Sequence, residues 1–125
     1  METKAIDMAK NVLGGELAVC GTKPLTGWTR NGCCETDDRD FGSHSVCAIV
    51  DERFLRYSAA LGNDLSTSGP SFEGLNAGDR WCLCASRWRD AYRDGMAPPV
   101  VLEACHERAL DVVDLNILKA HAATP

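Results

Sequence analysis

Three short apolar runs punctuate the chain: Ser45 to Val50, Trp81 to Ala85 and Val100 to Ala104. Each is of strand length and carries Val, Ile or Trp, which predicts a buried strand. A stretch with apolar residues at helical spacing follows each one. After the first, Asp51 caps a predicted helix that buries Phe54, Leu55, Ser58 and Leu61, with Gly62 as its left-handed stop. After the second, Ser86 is the cap candidate, Trp88, Ala91 and Tyr92 share a face, and Gly95 ends the helix. After the third, Ala109, Leu110 and Val113 form one turn-spaced stripe, and Asp114 offers a fresh cap for Leu115, Leu118 and Ala122. Glycine- and turn-rich stretches (14 to 42, 62 to 78, 95 to 99) separate these units.

Strand then helix, repeated in this way, predicts an α+β domain: a small mixed sheet of about three strands, with helices packed on one face and long glycine-rich loops. Too few strands are present for a doubly wound sheet. Residues 1–10 read as a leader that frays, 11–121 as a single domain and 122–125 as a tail.

Composition narrows the function classes. A chain of 125 residues fits one domain, and a domain of that size hides roughly two-thirds of its unfolded surface, so no staple is required. Apolar residues make up 45% and charged residues 25%, which is ordinary for a globular protein. The formal net charge of -5, with no run of Lys or Arg, argues against a nucleic-acid partner. No apolar run approaches the ~20 residues of a membrane span. Glu2, Lys4, Asp7 and Lys10 interrupt the first residues, so no signal peptide is expected. The expected setting is therefore cytoplasmic and reducing, where cysteines serve as free thiols, metal ligands or catalytic groups.

Cysteine chemistry is then the main question, because the chain holds seven of them. An odd number leaves one thiol unpaired even if all the others bridge. Alternation along the second strand sends Trp81, Leu83 and Ala85 one way and Cys82 and Cys84 the other. Their Cα atoms are then about 6.6 Å apart with parallel side chains, which disfavours a bridge between them. On the first strand Cys47 shares a face with Ser45 and Ile49. If the two strands pair, Cys47 stands across from the Cys82/Cys84 face.

Three readings of these thiols compete. Cysteine packs well as a small buried apolar group, which is the plain reading of Cys20 and Cys105 and an open one for Cys82 and Cys84. A metal site is the second. His44 and Cys47 give one ligand pair, Cys82 and Cys84 a tighter one, and Cys34 and His106 could complete a set for zinc or iron. No Cys-x-x-Cys pair occurs, however. Thiol catalysis is the third reading. Cys84 lies at a strand-to-helix junction, where a helix N-terminus favours a thiolate. Cys82 and Cys34 are further nucleophile candidates, His106 and His44 possible bases, and Asp79 a possible orienter. The neighbours Cys33 and Cys34 would bridge each other only with strain, so each is expected to meet a distant partner. Trp28, Trp81 and Trp88 read as core or pocket wall.

Several segments resemble one bacterial family, the domain-of-unknown-function group numbered 2237. They are Leu25-Thr26-Gly27-Trp28, Arg30-Asn31-Gly32-Cys33-Cys34, Gly42-Ser43-His44-Ser45-Val46-Cys47-Ala48, Gly62-Asn63-Asp64-Leu65-Ser66-Thr67, the run Trp81 to Trp88, and Ala97 to Ala104 with His106. The similarity covers about residues 11 to 121. It implies a small two-layer α/β sandwich and no established activity, so no catalytic residue is carried over. The chain departs from the family pattern at Cys105, where the family has Thr, which makes Cys105 a weaker functional candidate. Cys33 falls where the family varies, leaving Cys34 the better of that pair.

The sequence thus assigns no function: the expectation is an uncharacterised, small, cysteine-rich cytoplasmic domain, for which a module that binds a metal or a small molecule is the first candidate reading. Its site is placed where the ends of the first two strands meet the glycine-rich loop, around Cys34, His44, Cys47, Asp79, Cys82, Cys84 and His106. A thiol enzyme or redox protein and a purely structural domain are the alternatives.

Overall fold

The computed structural model describes residues 9–27, 30–37, 39–40, 43–67 and 74–123. Trp28, most of the leader and the end of the tail lie outside the described residues. The domain is a small mixed α+β unit. Strand β1 (Val46–Ile49) leads into helix α1 (Glu52–Ala60), and strand β2 (Arg80–Leu83) into helix α2 (Ala85–Arg93). Two 3-10 turns, Leu102–Ala104 and Glu107–Asp111, precede helix α3 (Leu115–Ala120).

The two strands pair antiparallel in the register Val46↔Leu83, Cys47↔Cys82, Ala48↔Trp81 and Ile49↔Arg80. Both are buried on both faces almost throughout, because helices and loops cover the small sheet. The third expected strand does not form as such. Val100 makes isolated bridges to Ala48 and to Ala122, with Val101 N–H donating to the Cys47 carbonyl and Ile49 N–H to that of Pro99. Pro98 and Pro99 have no N–H to offer a ladder. Beyond Val101 the chain closes into a 3-10 turn, so pairing stops there.

The helices follow the expected logic at their ends, with two differences. Asp51 Oδ1 accepts from Phe54 N–H at 2.8 Å, capping α1. Gly62 then takes φ +92°, with Gly62 N–H bonding to the Ala59 carbonyl and Asn63 N–H to that of Ser58. This is the paired bond pattern that a left-handed glycine allows at a helix end. Gly95 (φ +74°) ends α2 in the same way, with Met96 N–H reaching the Ala91 carbonyl at 2.7 Å. The first difference is that α2 starts two residues early, so Cys84 rather than Ser86 holds the cap position. The second is that Leu61 and Leu110 are exposed. Leu61 falls past the last turn of α1, and a 3-10 turn rotates Leu110 away from the face it would have on an α-helix.

Trp88 and Phe54 are the largest fully buried side chains. Trp88 Nε1–H donates to the Pro98 carbonyl at 3.1 Å, so its one polar atom is satisfied. Around these side chains lie Cys20, Cys34, Cys47, Cys82 and Cys105, all buried.

Candidate cysteine cluster and adjoining cavity

The register sets Cys47 and Cys82 directly opposite each other on β1 and β2. Two loops bring further sulfur to this pair. Cys20 is bridged to Cys47 and Cys34 to Cys82, across 27 and 48 residues of chain. The sulfurs of Cys20, Cys34 and Cys47 all lie within 4.8 Å of one another, and Cys82 contributes the fourth. One buried knot of four sulfurs thus joins four separate segments.

Backbone geometry explains why the loops reach it. Cys20 N–H and Gly21 N–H both donate to the Gly32 carbonyl, and Gly32 N–H donates to that of Thr26. The Thr26 hydroxyl in turn accepts from Cys82 N–H at 2.8 Å, tying the loop to β2. Gly27 makes this packing possible. It sits at φ +107°, and a Cβ there would stand 2.5 Å from the Cys33 carbonyl oxygen. No side chain fits so close to fixed backbone.

The remaining thiols take no part in the knot. Cys105 is fully buried beside it, and its thiol donates to the Cys47 carbonyl at 3.8 Å. Burial pushes that thiol up to about 12, so it is inert near neutral pH. Cys33 is half-buried, and its thiol is raised by burial and by the nearby Glu35 carboxylate. Cys84 is half-buried at the start of α2, with its sulfur 3.1 Å from the Ser86 hydroxyl.

Of the predicted ligands, Cys34, Cys47 and Cys82 come together, joined by Cys20, which sequence reasoning left in the core. His44, Cys84 and His106 stand outside the knot. His44 Nδ1 lies 2.8 Å from Asp40 Oδ1, while the other Asp40 oxygen accepts from His44 N–H and from the Thr36 hydroxyl. Burial alone would raise the Asp40 carboxyl, but these three hydrogen bonds hold it below its ordinary value. Asp40 was missed in the sequence, although its i,i+4 spacing to His44 is a legible signal. Asp79 orients no histidine here; it closes its own turn by accepting from Asn76 N–H at 2.8 Å.

His106 is buried, and its Nδ1 accepts from Arg108 N–H at 3.0 Å, capping a 3-10 turn. Burial holds its imidazole below the ordinary 6.5, an effect that Glu107 opposes and Arg108 reinforces. The neutral ring is thus favoured in the fold, and the unfolded chain binds more protons at pH values below 6.5. Stability should be complete above that pH and fall as acid titrates the unfolded chain, by up to about 1.4 kcal/mol per pH unit for one proton. Urea unfolding of the parent and His106→Gln between pH 7.5 and 5 checks this, since the variant should lose that slope.

A cavity of about 300 Å³ opens beside the knot, with His44, Asn63, Trp81, Cys82, Cys84 and Arg87 among its walls. It is where the ends of β1 and β2 meet the first turn of α2. No helix among the described residues is long and apolar enough to cross a membrane. No curated protein matches the chain. With its paired strands, cysteine knot and flanking helices, the chain belongs to the DUF2237 family, described as an uncharacterized protein conserved in bacteria, whose model matches residues 10–122.

Proposed function

We propose that the reduced protein is a metal-binding module whose single ion is held by Cys20, Cys34, Cys47 and Cys82. The observation that carries this reading is the convergence of four buried sulfurs from four segments into one knot, three of them mutually within 4.8 Å. A tetrahedral zinc with Zn–S bonds near 2.3 Å needs sulfurs about 3.8 Å apart, which small side-chain rotations from the bridged arrangement supply. Four thiolates without histidine or carboxylate select a soft ion, so zinc is favoured and iron is the second choice. In the bridged form the same sulfurs are two disulfides. A thiol reductant delivers two electrons and two protons to each bridge, and binding the ion then releases the thiol protons. This reading goes with a cytoplasmic, reducing setting.

The test is native mass spectrometry of protein reduced under chelator and then supplied with zinc. One retained ion per chain, lost on denaturation, is the expected result. Serine at any of the four positions should weaken retention, whereas Cys33→Ser and Cys105→Ser should not. An ion still held by a Cys20→Ser/Cys47→Ser double variant would show that it sits elsewhere.

A further inference from the structure

The cavity beside the knot combines groups that the metal reading leaves unused. Asp40 has a side chain only 1% exposed, while that of His44 is 39% exposed. The buried carboxylate therefore fixes the ring through Nδ1 and leaves Nε2 as the atom that can take a proton. The β1–β2 ladder ends at Val46↔Leu83, so the segment before β1 and the segment that opens α2 leave the sheet at the same end. One further bond locks this approach: Ala85 N–H donates to the Ser43 carbonyl at 2.9 Å. Cys84, at the N-terminus of the nine-residue α2, and His44 line one cavity, with Arg87 and Asn63 in the same wall.

We propose that this cavity is an acyl-transfer site for a small ester or thioester that carries a negative charge, with Cys84 as the nucleophile. Thiol, imidazole and a buried orienting carboxylate are the three parts that covalent acyl transfer requires. Cys84 Sγ forms a bond to the acyl carbon, and the bond from that carbon to the leaving oxygen or sulfur breaks. The thiol proton passes to His44 and from there to the leaving group. Water then attacks the acyl-cysteine, giving its proton through His44 to the departing sulfur, so that free acid and thiol are restored. Arg87 provides a cationic partner for a charged acyl chain, and a volume of about 300 Å³ fits a short one.

The experiment uses the bridged protein in the presence of chelator, where Cys33, Cys84 and Cys105 are the only thiols, so its outcome is independent of metal binding. The probes are mono-4-nitrophenyl succinate and the neutral 4-nitrophenyl butyrate. The expected result is a burst of one 4-nitrophenolate per chain, with the succinyl mass found on the peptide carrying Cys84. Cys84→Ser should abolish the burst. His44→Asn should slow acylation about a hundredfold, in line with loss of a positioned base. Arg87→Gln should reduce the preference for the anionic ester about tenfold, the worth of one charged hydrogen bond. A succinyl group found mainly on Cys33, or acylation unchanged in His44→Asn, would overturn the site. Equal rates for the two esters in the parent would overturn the proposed ligand class. Because adduct mapping uses the unaltered chain, a variant that fails to fold does not blunt the test.

Discussion

Reducing both bridges in the presence of chelator is expected to lower the unfolding free energy by at least about 4 kcal/mol. The Cys34–Cys82 bridge closes a loop across 48 residues, and cross-linking a loop of that length removes about 4 kcal/mol of chain entropy from the unfolded state. The Cys20–Cys47 bridge spans 27 residues and overlaps it, so its own share of about 3.5 kcal/mol does not add in full. Urea unfolding followed by tryptophan fluorescence reads the loss directly. Zinc added to the reduced protein should then return several kcal/mol. An ion present at a thousandfold excess over its dissociation constant stabilises by about 4 kcal/mol. A reduced protein whose transition does not move with zinc would end the metal proposal. A transition that does not move on reduction would mean the loops are held by packing alone.

Trp88→Ala should cost about 3–5 kcal/mol, enough to unfold a domain of marginal stability. The side chain is fully buried in α2. It stacks on Tyr92 at 6.1 Å between centroids and meets the edge of the His121 ring at 5.2 Å. Truncation leaves a cavity between α2 and the chain's last described turn, and also strands the Pro98 carbonyl that Nε1–H satisfies. Trp88→Phe separates the two effects, because it keeps most of the volume and loses the hydrogen bond; about 1–2 kcal/mol is expected. Equal losses for the two variants would show that the hydrogen bond, and not the volume, fastens this end of the core.

Much of this was legible in the order of residues, because the signals were local. Asp51, Gly62 and Gly95 fixed helix ends through bonds that span only a few residues. The runs around Cys47 and Cys82 read as strands because their side chains suit burial on a pleated surface. The third run misled for a reason of geometry. Val100 to Ala104 is as apolar as the other two, but two prolines and a tight turn leave it only isolated bridges. Among site residues, Cys34, Cys47 and Cys82 stood out by type and setting. Cys20 did not, since its place beside Cys47 depends on the carbonyl of Gly32, remote in sequence from both strands.

By itself, then, the sequence determined the class of domain, the two strands and the ends of their helices, and the predominance of sulfur among its reactive groups. Each of these depends on hydrogen bonds and periodicities that close within one turn or one strand. Only the tertiary structure decided which thiols meet and that His44 and Cys84 line one cavity. Those outcomes depend on the β1–β2 register and on one glycine loop packed too close to the Cys33 carbonyl to admit a Cβ at Gly27. Contacts between segments tens of residues apart are fixed by how the layers pack, and no local pattern along the chain encodes that packing.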